Sequence, residues 1–269
     1  MISMSPRKRN RSGFTLVELL VVIGIMVVLI TLTTAAIVKF LNTGPQSATR
    51  NHLKTIKTTL DTQWGIVRGK ADKETIPTAL QPALMSAAGA TSMEDKRVRP
   101  KYTQLKLEQA FPVSFTEVMS PTGLPAWSAY TNYLNGLGIN AGNVAMDKTA
   151  PDVQMAVCLM MALERGPNNS AFTPETLGTT GAQQLILGNG ARAWGCVDAF
   201  QPRPDTDQVK NPGVLQPAGP LLFTRNKGGV PLTPDILSAG ANQAYGVDYV
   251  TFAVTIESDA RDNLSPLDP

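Results

Sequence analysis

The stretch GFTLVELLVVIGIMVVLI, Gly13 to Ile30, decides the fold at the start of this 269-residue chain. It belongs to a longer apolar run, because Leu19 to Val38 contains no charged residue and Lys39 ends it. A helix of that length rises about 30 Å, the thickness of the hydrocarbon core of a bilayer. The sequence therefore predicts a membrane-spanning helix that carries a carboxylate, Glu18, near its beginning.

A secretory signal peptide is the competing interpretation of this segment. A basic region precedes the apolar run, and Thr34-Ala35-Ala36 offers a small-residue cleavage site. Signal-peptide apolar regions are only about 7–15 residues long, whereas this run is longer and follows a glutamate. The pattern favours a retained anchor over a signal peptide.

The charges predict the orientation of the anchor. Four cations and no acid precede Gly13, so of the formal charge of +3 the rest of the chain carries −1. Positive residues beside a first apolar span stay cytoplasmic, which places the following chain outside. The basic pI thus reflects topology and not nucleic-acid binding, and the mixed-sign segment Glu94–Lys101 is interpreted as a hydrated loop.

An amphipathic helix is predicted beyond the span. Apolar residues recur there at spacings of three and four, namely Leu53, Ile56, Leu60, Trp64 and Val67. Between the two halves, Pro45 in Asn42-Thr43-Gly44-Pro45 lacks a backbone donor and strains the preceding turn. We expect a kink or a short melted stretch there, and not the end of the helix.

The remainder predicts an α+β head, with short helices first and a small antiparallel β-sheet mostly near the C-terminus. Ala71–Ala90 is interpreted as the connection that leaves the long helix. Predicted helices are Lys101–Phe111, Ala126–Leu137 and Pro151–Arg165. Pro151–Arg165 is apolar nearly all round, which favours a core helix over a methionine-rich partner surface. The predicted strands are Val214–Thr224 and Tyr245–Ile256, with a long loop over Gln201–Gly219.

Catalytic and metal-binding patterns are weak in this sequence. The one histidine, His52, lies on the anchor helix, which argues against histidine acid–base chemistry, a Ser-His-Asp arrangement and histidine metal sites. No nucleophile-elbow, zinc-protease or phosphate-binding motif occurs. We expect a non-enzyme without a cofactor. Weak calcium candidates are Asp198, Asp205 and Asp207, although their spacing fails the EF-hand pattern and favours a solvated loop.

The two cysteines, Cys158 and Cys196, leave two interpretations open. Both lie in the portion predicted to be outside, where an oxidising periplasm would permit a disulfide. Two small buried hydrophobic side chains are an equally good account, because spacing along the chain does not show that their Cα atoms come within bonding range.

Taken together, the basic leader, Gly13-Phe14-Thr15-Leu16-Val17-Glu18 and the apolar run resemble the class III leader of type IV pilins and type II secretion pseudopilins. The resemblance implies that a membrane prepilin peptidase cleaves between Gly13 and Phe14 and N-methylates Phe14. It also implies that Glu18, the fifth mature residue, pairs with the N-terminal amine of a neighbouring subunit. Gly24 would permit close approach of helices during assembly.

The resemblance further implies a structural filament subunit of a type II secretion or type IV pilus-like system. Its partners would be prepilin peptidase, other pilin or pseudopilin subunits, an inner-membrane assembly platform and the lipid bilayer. We expect a single pass through the bacterial inner membrane, with a cytoplasmic N-terminus, a periplasmic head and, after assembly, a periplasmic or cell-surface filament. The predicted parts are a leader at 1–13, a transmembrane helix at 14–40, its amphipathic half at 41–70 and a head at 71–269.

Three segments of the head, MAVCLMMAL, CVDAF and GPLLF, resemble the large pseudopilin-like proteins of planctomycetes. An alternative of a different class remains: a single-pass, membrane-anchored periplasmic binding module that does not polymerise.

Overall fold

The structure is a computed structural model that describes residues 16–121, 123–167, 172–198, 221–224 and 235–238. Over 35–46, and at residues 222, 224, 235 and 237, it describes the backbone alone. The chain forms two units, residues 1–44 and residues 45–269. The fold is α+β and pilin-like: a long N-terminal apolar helix, further helices, and small antiparallel two-stranded sheets in the C-terminal part.

Helix α1, Leu16–Lys73, is 58 residues long. Its helical backbone runs through Asn42-Thr43-Gly44-Pro45, so the helix does not end there, as expected, whereas the expected alternative of a short melted stretch was wrong. Proline removes a single backbone donor, and the loss of one hydrogen bond does not end a helix of this length. Lys70 and Lys73 lie in the last turn, where cations complement the helix dipole.

The second half of α1 carries the predicted apolar stripe into the core of the head. Leu53, Ile56 and Leu60 are fully buried, and Trp64 and Val67 nearly so. Burial of this stripe confirms the amphipathic prediction. Each such side chain stabilises the fold by about 1.5–3 kcal/mol when it is removed from water. The Trp64 ring packs against Phe111 with centroids 5.3 Å apart.

Helix α6, Pro151–Arg165, is the centre of the head, and its bounds agree with the prediction. Every residue from Met155 to Leu163 is buried. Leu159 and Leu163 join the cluster formed with α1, while Val157 and Cys158 join a second apolar cluster. A helix that is apolar on all sides thus packs on all sides, and the prediction of a core helix is confirmed.

Four further helices of the head precede α6 along the chain: α2 Gln81–Ala88, α3 Val98–Ala110, α4 Phe115–Met119 and α5 Ser128–Gly136, with 3₁₀ turns at Thr78–Leu80 and Val144–Met146. Helices α3 and α5 confirm the helices predicted at Lys101–Phe111 and Ala126–Leu137 to within a few residues.

The prediction of an irregular connection over Ala71–Ala90 was wrong, because α2 occupies part of it. Helix α2 has proline at its start and ends at Gly89, whose φ of 59° gives the left-handed cap that glycine adopts readily. Leu84 is its one buried residue. A helix this short therefore shows no repeated apolar stripe that could be recognised in the sequence.

Helix α7, Pro174–Gly181, leads directly into strand β1, Ala182–Ile186, which pairs antiparallel with β2, Arg192–Cys196. This hairpin was not predicted from the sequence. Strands β3, Leu222–Thr224, and β4, Asp235–Leu237, form a second antiparallel pair. Strand β3 confirms the end of the strand predicted at Val214–Thr224. Residues 214–220, the loop at 201–219 and the strand predicted at Tyr245–Ile256 lie outside the described residues.

A glycine holds the tip of the β1–β2 hairpin against the segment before α6. The Gly188 amide donates a 2.7 Å hydrogen bond to the Thr149 hydroxyl, which itself donates to the Asp147 carboxylate at 3.0 Å. A Cβ at position 188 would overlap the backbone of Lys148 and Thr149. Close approach of two backbones thus requires glycine at this position.

Candidate functional site

The N-terminal part of α1 presents apolar side chains to all sides. Leu16–Thr34 is long and apolar enough to cross a membrane, and none of it is buried within the protein. Its large apolar side chains are between 46% and 80% exposed. A helix that is hydrophobic all round needs lipid or other protein around it. Among the described residues this is the one helix with that property.

Glu18 is the one charged residue within Leu16–Thr34, and it lies in the first turn of α1. An acid in the first turn complements the positive end of the helix dipole, a contribution of about 0.3–1 kcal/mol at exposed sites. A carboxylate at the centre of a bilayer costs about 2.5–3.5 kcal/mol on the insertion scale. At that depth the dipole would not offset the cost of the carboxylate. Gly13 and Phe14 lie outside the described residues.

Three threonines near the end of the apolar segment bond to their own helix. The hydroxyls of Thr31, Thr33 and Thr34 donate to the carbonyls of Val28, Leu29 and Ile30 at 2.8, 2.6 and 2.8 Å. Because these donors are satisfied within the helix, the segment presents no unpaired hydroxyl to its surroundings.

Gly24 lies in the middle of the apolar segment. A Cβ built at this position would meet nothing within 4 Å. The helix backbone is accordingly open at Gly24, a geometry that suits close contact with another helix. The role of Gly24 in assembly stays a prediction.

A buried carboxylate connects α1 to the C-terminal strands of the head. Asp198 directly follows the β2 region and is only 3% exposed. Its Oδ1 accepts a 2.7 Å hydrogen bond from the Thr49 hydroxyl, and its Oδ2 accepts one from the Ser238 hydroxyl. These three side chains, buried together, form the Asp198 junction.

The Asp198 junction changes the interpretation of the calcium candidates. Asp198 does not lie in a solvated loop, because its carboxylate is buried between two hydroxyl donors. Asp205 and Asp207 lie outside the described residues. Within the described ranges, the acids, histidine and cysteines form no group of three that could hold a metal ion. The geometry of Asp198 is that of a structural hydrogen-bond acceptor.

His52 lies one turn beyond Thr49 on α1 and is partly buried. Its Nδ1 atom is enclosed and has no hydrogen-bond partner among the described residues. Burial lowers the pKa of His52, and the negative charge of Asp198 opposes this effect. A Cβ at Gly181, at the end of α7, would come within 2.7 Å of Nδ1. The ring thus fits against a glycine of the neighbouring helix.

The structure brings histidine, aspartate and serine into one region, which the sequence did not reveal. In a hydrolytic triad the histidine lies between the serine and the acid and accepts the serine proton. Here the Ser238 hydroxyl donates directly to Asp198, and Ser238 is fully buried. The arrangement supports a structural junction and offers no accessible nucleophile.

Cys158 and Cys196 are both buried and are thiols in the structure. They belong to different apolar clusters, Cys158 to the one around α5 and α6 and Cys196 to the one around α1. Burial raises the pKa of the Cys196 thiol well above its usual range. The sequence left open a disulfide or two small buried side chains, and in the structure the two cysteines are buried thiols.

Comparison with known proteins bears on the N-terminal site. A long apolar helix near the N-terminus with one acid in its first turn fits a membrane anchor. Residues 8–34 match the family model of the prokaryotic N-terminal methylation motif. The chain therefore carries a prepilin-type methylation motif, consistent with type IV pilins and pseudopilins. Neither the curated proteins nor the solved structures include a match to the chain.

Proposed function

We propose that this chain is the precursor of a filament subunit, a prepilin or pseudopilin of a type II secretion or type IV pilus-like system. Prepilin peptidase cleaves it between Gly13 and Phe14 and N-methylates Phe14. The mature chain then polymerises through the first half of α1. The match at residues 8–34, together with the helix over Leu16–Thr34 that is exposed and apolar all round, carries this proposal.

The energetics of Glu18 support polymerisation over simple anchoring. A simple anchor gains only the dipole contribution of about 0.3–1 kcal/mol from a carboxylate that costs about 2.5–3.5 kcal/mol at the centre of a bilayer. In an assembly, the carboxylate can pair with the N-terminal amine of Phe14 in an adjacent subunit. A buried charge that fixes register is the best-attested use of such groups, so Glu18 would align each incoming subunit with its neighbour.

The proposed activity is mechanical polymerisation and not substrate turnover. The apolar helix stays in the inner membrane before assembly, with the basic leader cytoplasmic and the head periplasmic. Other subunits, the prepilin peptidase and an inner-membrane assembly platform are the proposed partners. The basic leader, Arg7 to Arg11, supports this orientation because cations beside a first span stay cytoplasmic.

N-terminal mass spectrometry of the protein purified from its native membrane tests processing. We expect a mature chain that begins with N-methylated Phe14. An intact Met1 would leave a plain anchor, and a terminus near Ile37 would indicate a secreted domain. Either result would contradict the proposal.

A set of Glu18 variants tests polymerisation separately from processing. Glu18→Lys and Glu18→Gln should insert in the membrane but fail to enter filaments, because both remove the acceptor of the intersubunit pair. Glu18→Asp keeps the charge and serves as the matched control, with partial assembly expected. The measurement is the filament fraction recovered from cells that carry the assembly system. Recovery of Glu18→Lys and Glu18→Gln at the level of the parent protein would contradict the pairing role of Glu18, and a parent protein that enters no filament would favour the non-polymerising anchored module.

A further inference from the structure

The Asp198 junction ties the helical and the strand parts of the head together. Thr49 belongs to α1, Asp198 follows β2, and Ser238 follows β4. The bonds from Thr49 and Ser238 to one carboxylate therefore join three elements that are far apart along the chain. All three side chains are at most 3% exposed. Separation of the strands from α1 would break the Thr49 bond and expose the Asp198 carboxylate to water.

His52 is the titratable neighbour of this junction, one helical turn from Thr49. Asp198 is the one charged group among the described residues whose field acts on the imidazole. From α7, the Gly181 backbone lies against the ring. The enclosed Nδ1 atom finds no acceptor among the described residues. A proton added at Nδ1 would consequently be buried without a hydrogen-bond partner, a costly arrangement in a protein interior.

We propose that His52 and Asp198 form a pH-dependent latch that holds the C-terminal strands on α1. The latch is closed while His52 is neutral and Asp198 accepts the hydrogen bonds from Thr49 and Ser238. Protonation of His52 weakens it, because the cation is poorly accommodated in the closed head and competes for the Asp198 carboxylate. The device is independent of the proposed filament function, since it resides entirely within residues 45–269.

The direction of the pH dependence follows from proton linkage. Burial lowers the pKa of His52 in the closed head below the ordinary value of 6.5. An opened head, with the imidazole in water, therefore binds the proton first as the pH falls. The closed head is therefore most stable relative to the opened head above about pH 7, and it loses stability as the pH falls through about 6.5. For each unit by which burial lowers the pKa of His52, the ratio of closed to open heads falls by at most about tenfold.

Hydrogen exchange of the full chain in detergent micelles at pH 7.5 and pH 5.5 tests the latch. After correction for the intrinsic pH dependence of amide exchange, exchange in 192–198 and 236–238 should rise severalfold at the lower pH. Helix α2 is the internal control and should not change, because its buried residue, Leu84, packs in an apolar cluster that contains no strand residue. Carboxyl groups in water have pKa values near 4, below this window, and a His52 variant separates the titration of the imidazole from that of the buried Asp198.

The His52→Gln variant, which does not titrate, should abolish the rise while keeping the protection seen at pH 7.5. A rise of equal size in His52→Gln, or no rise in the parent protein, would overturn the proposal. A second measurement needs no variant: the single imidazole gives one NMR titration curve, with an expected midpoint below 6.5. A midpoint at or above 6.5 would also overturn the latch.

Discussion

The Thr49 hydroxyl offers a sharp test of the Asp198 junction. Thr49→Val replaces the hydroxyl with a methyl group of nearly the same shape, so the packing stays and the donor to Asp198 is lost. Thr49 is 1% exposed and its bond to Oδ1 is 2.7 Å long. A hydrogen bond to a charged group contributes about 1.5–3 kcal/mol, and no water can reach Oδ1 to replace it at this burial.

We therefore expect Thr49→Val to lower the free energy of unfolding by about 1.5–3 kcal/mol. For a head of this size each kcal/mol shifts the melting temperature by about 2–4 °C, which predicts a decrease of roughly 3–12 °C. The assay is thermal unfolding of the full chain in detergent micelles, followed by tryptophan fluorescence. Trp64 reports on the core because it is buried against Phe111.

The control is Thr55→Val on the same helix. Thr55 is exposed, and its hydroxyl donates at 3.0 Å to the Asn51 carbonyl within the helix. Both substitutions exchange one β-branched residue for another, so their effect on helix propensity is the same. Thr55→Val should change stability by no more than about 0.5 kcal/mol. If the two variants melted within about 2 °C of each other, the junction would not contribute as the structure implies.

Three further predictions follow from the head. At pH 8, Cys158 and Cys196 should resist alkylation in the folded protein and react only after unfolding, as read by intact-mass spectrometry, because both thiols are buried and the pKa of Cys196 is raised. Gly188→Ala should lower the free energy of unfolding by about 1–3 kcal/mol, because the added Cβ overlaps the neighbouring backbone. The control Gly65→Ala, whose Cβ lies in open space, should be neutral or stabilise the protein by up to about 1 kcal/mol. Equal melting temperatures of the two variants would contradict the overlap. Folding lowers the pKa of His52, so the melting temperature should decrease between pH 7 and pH 5.5, and a flat profile would contradict the burial of the ring.

The N-terminal helix and α6 could be predicted because their information is local. Apolar residues at positions 19–38, and again at 153–163, follow one another closely enough to define the element and its burial. The same holds for the stripe from Leu53 to Val67, whose spacing alone defines its buried face. Helix α2 lacked such a signal, since Leu84 is its one buried side chain.

The Asp198 junction could not be predicted, because its members are distant along the chain. Thr49 and Asp198 are 149 positions apart, and Ser238 is 40 beyond Asp198. No spacing rule relates a threonine on a helix to an aspartate after a strand. The prediction of a solvated loop at Asp198 failed for the same reason: a proline-rich neighbourhood predicts exposure, while tertiary contacts decide burial.

The inward hydrogen bonds of Thr31, Thr33 and Thr34 have a consequence for transfer between environments. A hydroxyl that bonded to a neighbouring helix or to water would need to exchange its partner whenever the surroundings changed. These hydroxyls carry their acceptors with them, on the same helix, one turn away. Toward the outside they present methyl groups, and acyl chains and aliphatic side chains are similar solvents for methyl groups. The end of the segment can therefore pass from lipid into a protein bundle with little change in the free energy of its hydroxyl groups. Glu18 is the charged group of the apolar segment, and its free energy does differ between the two environments.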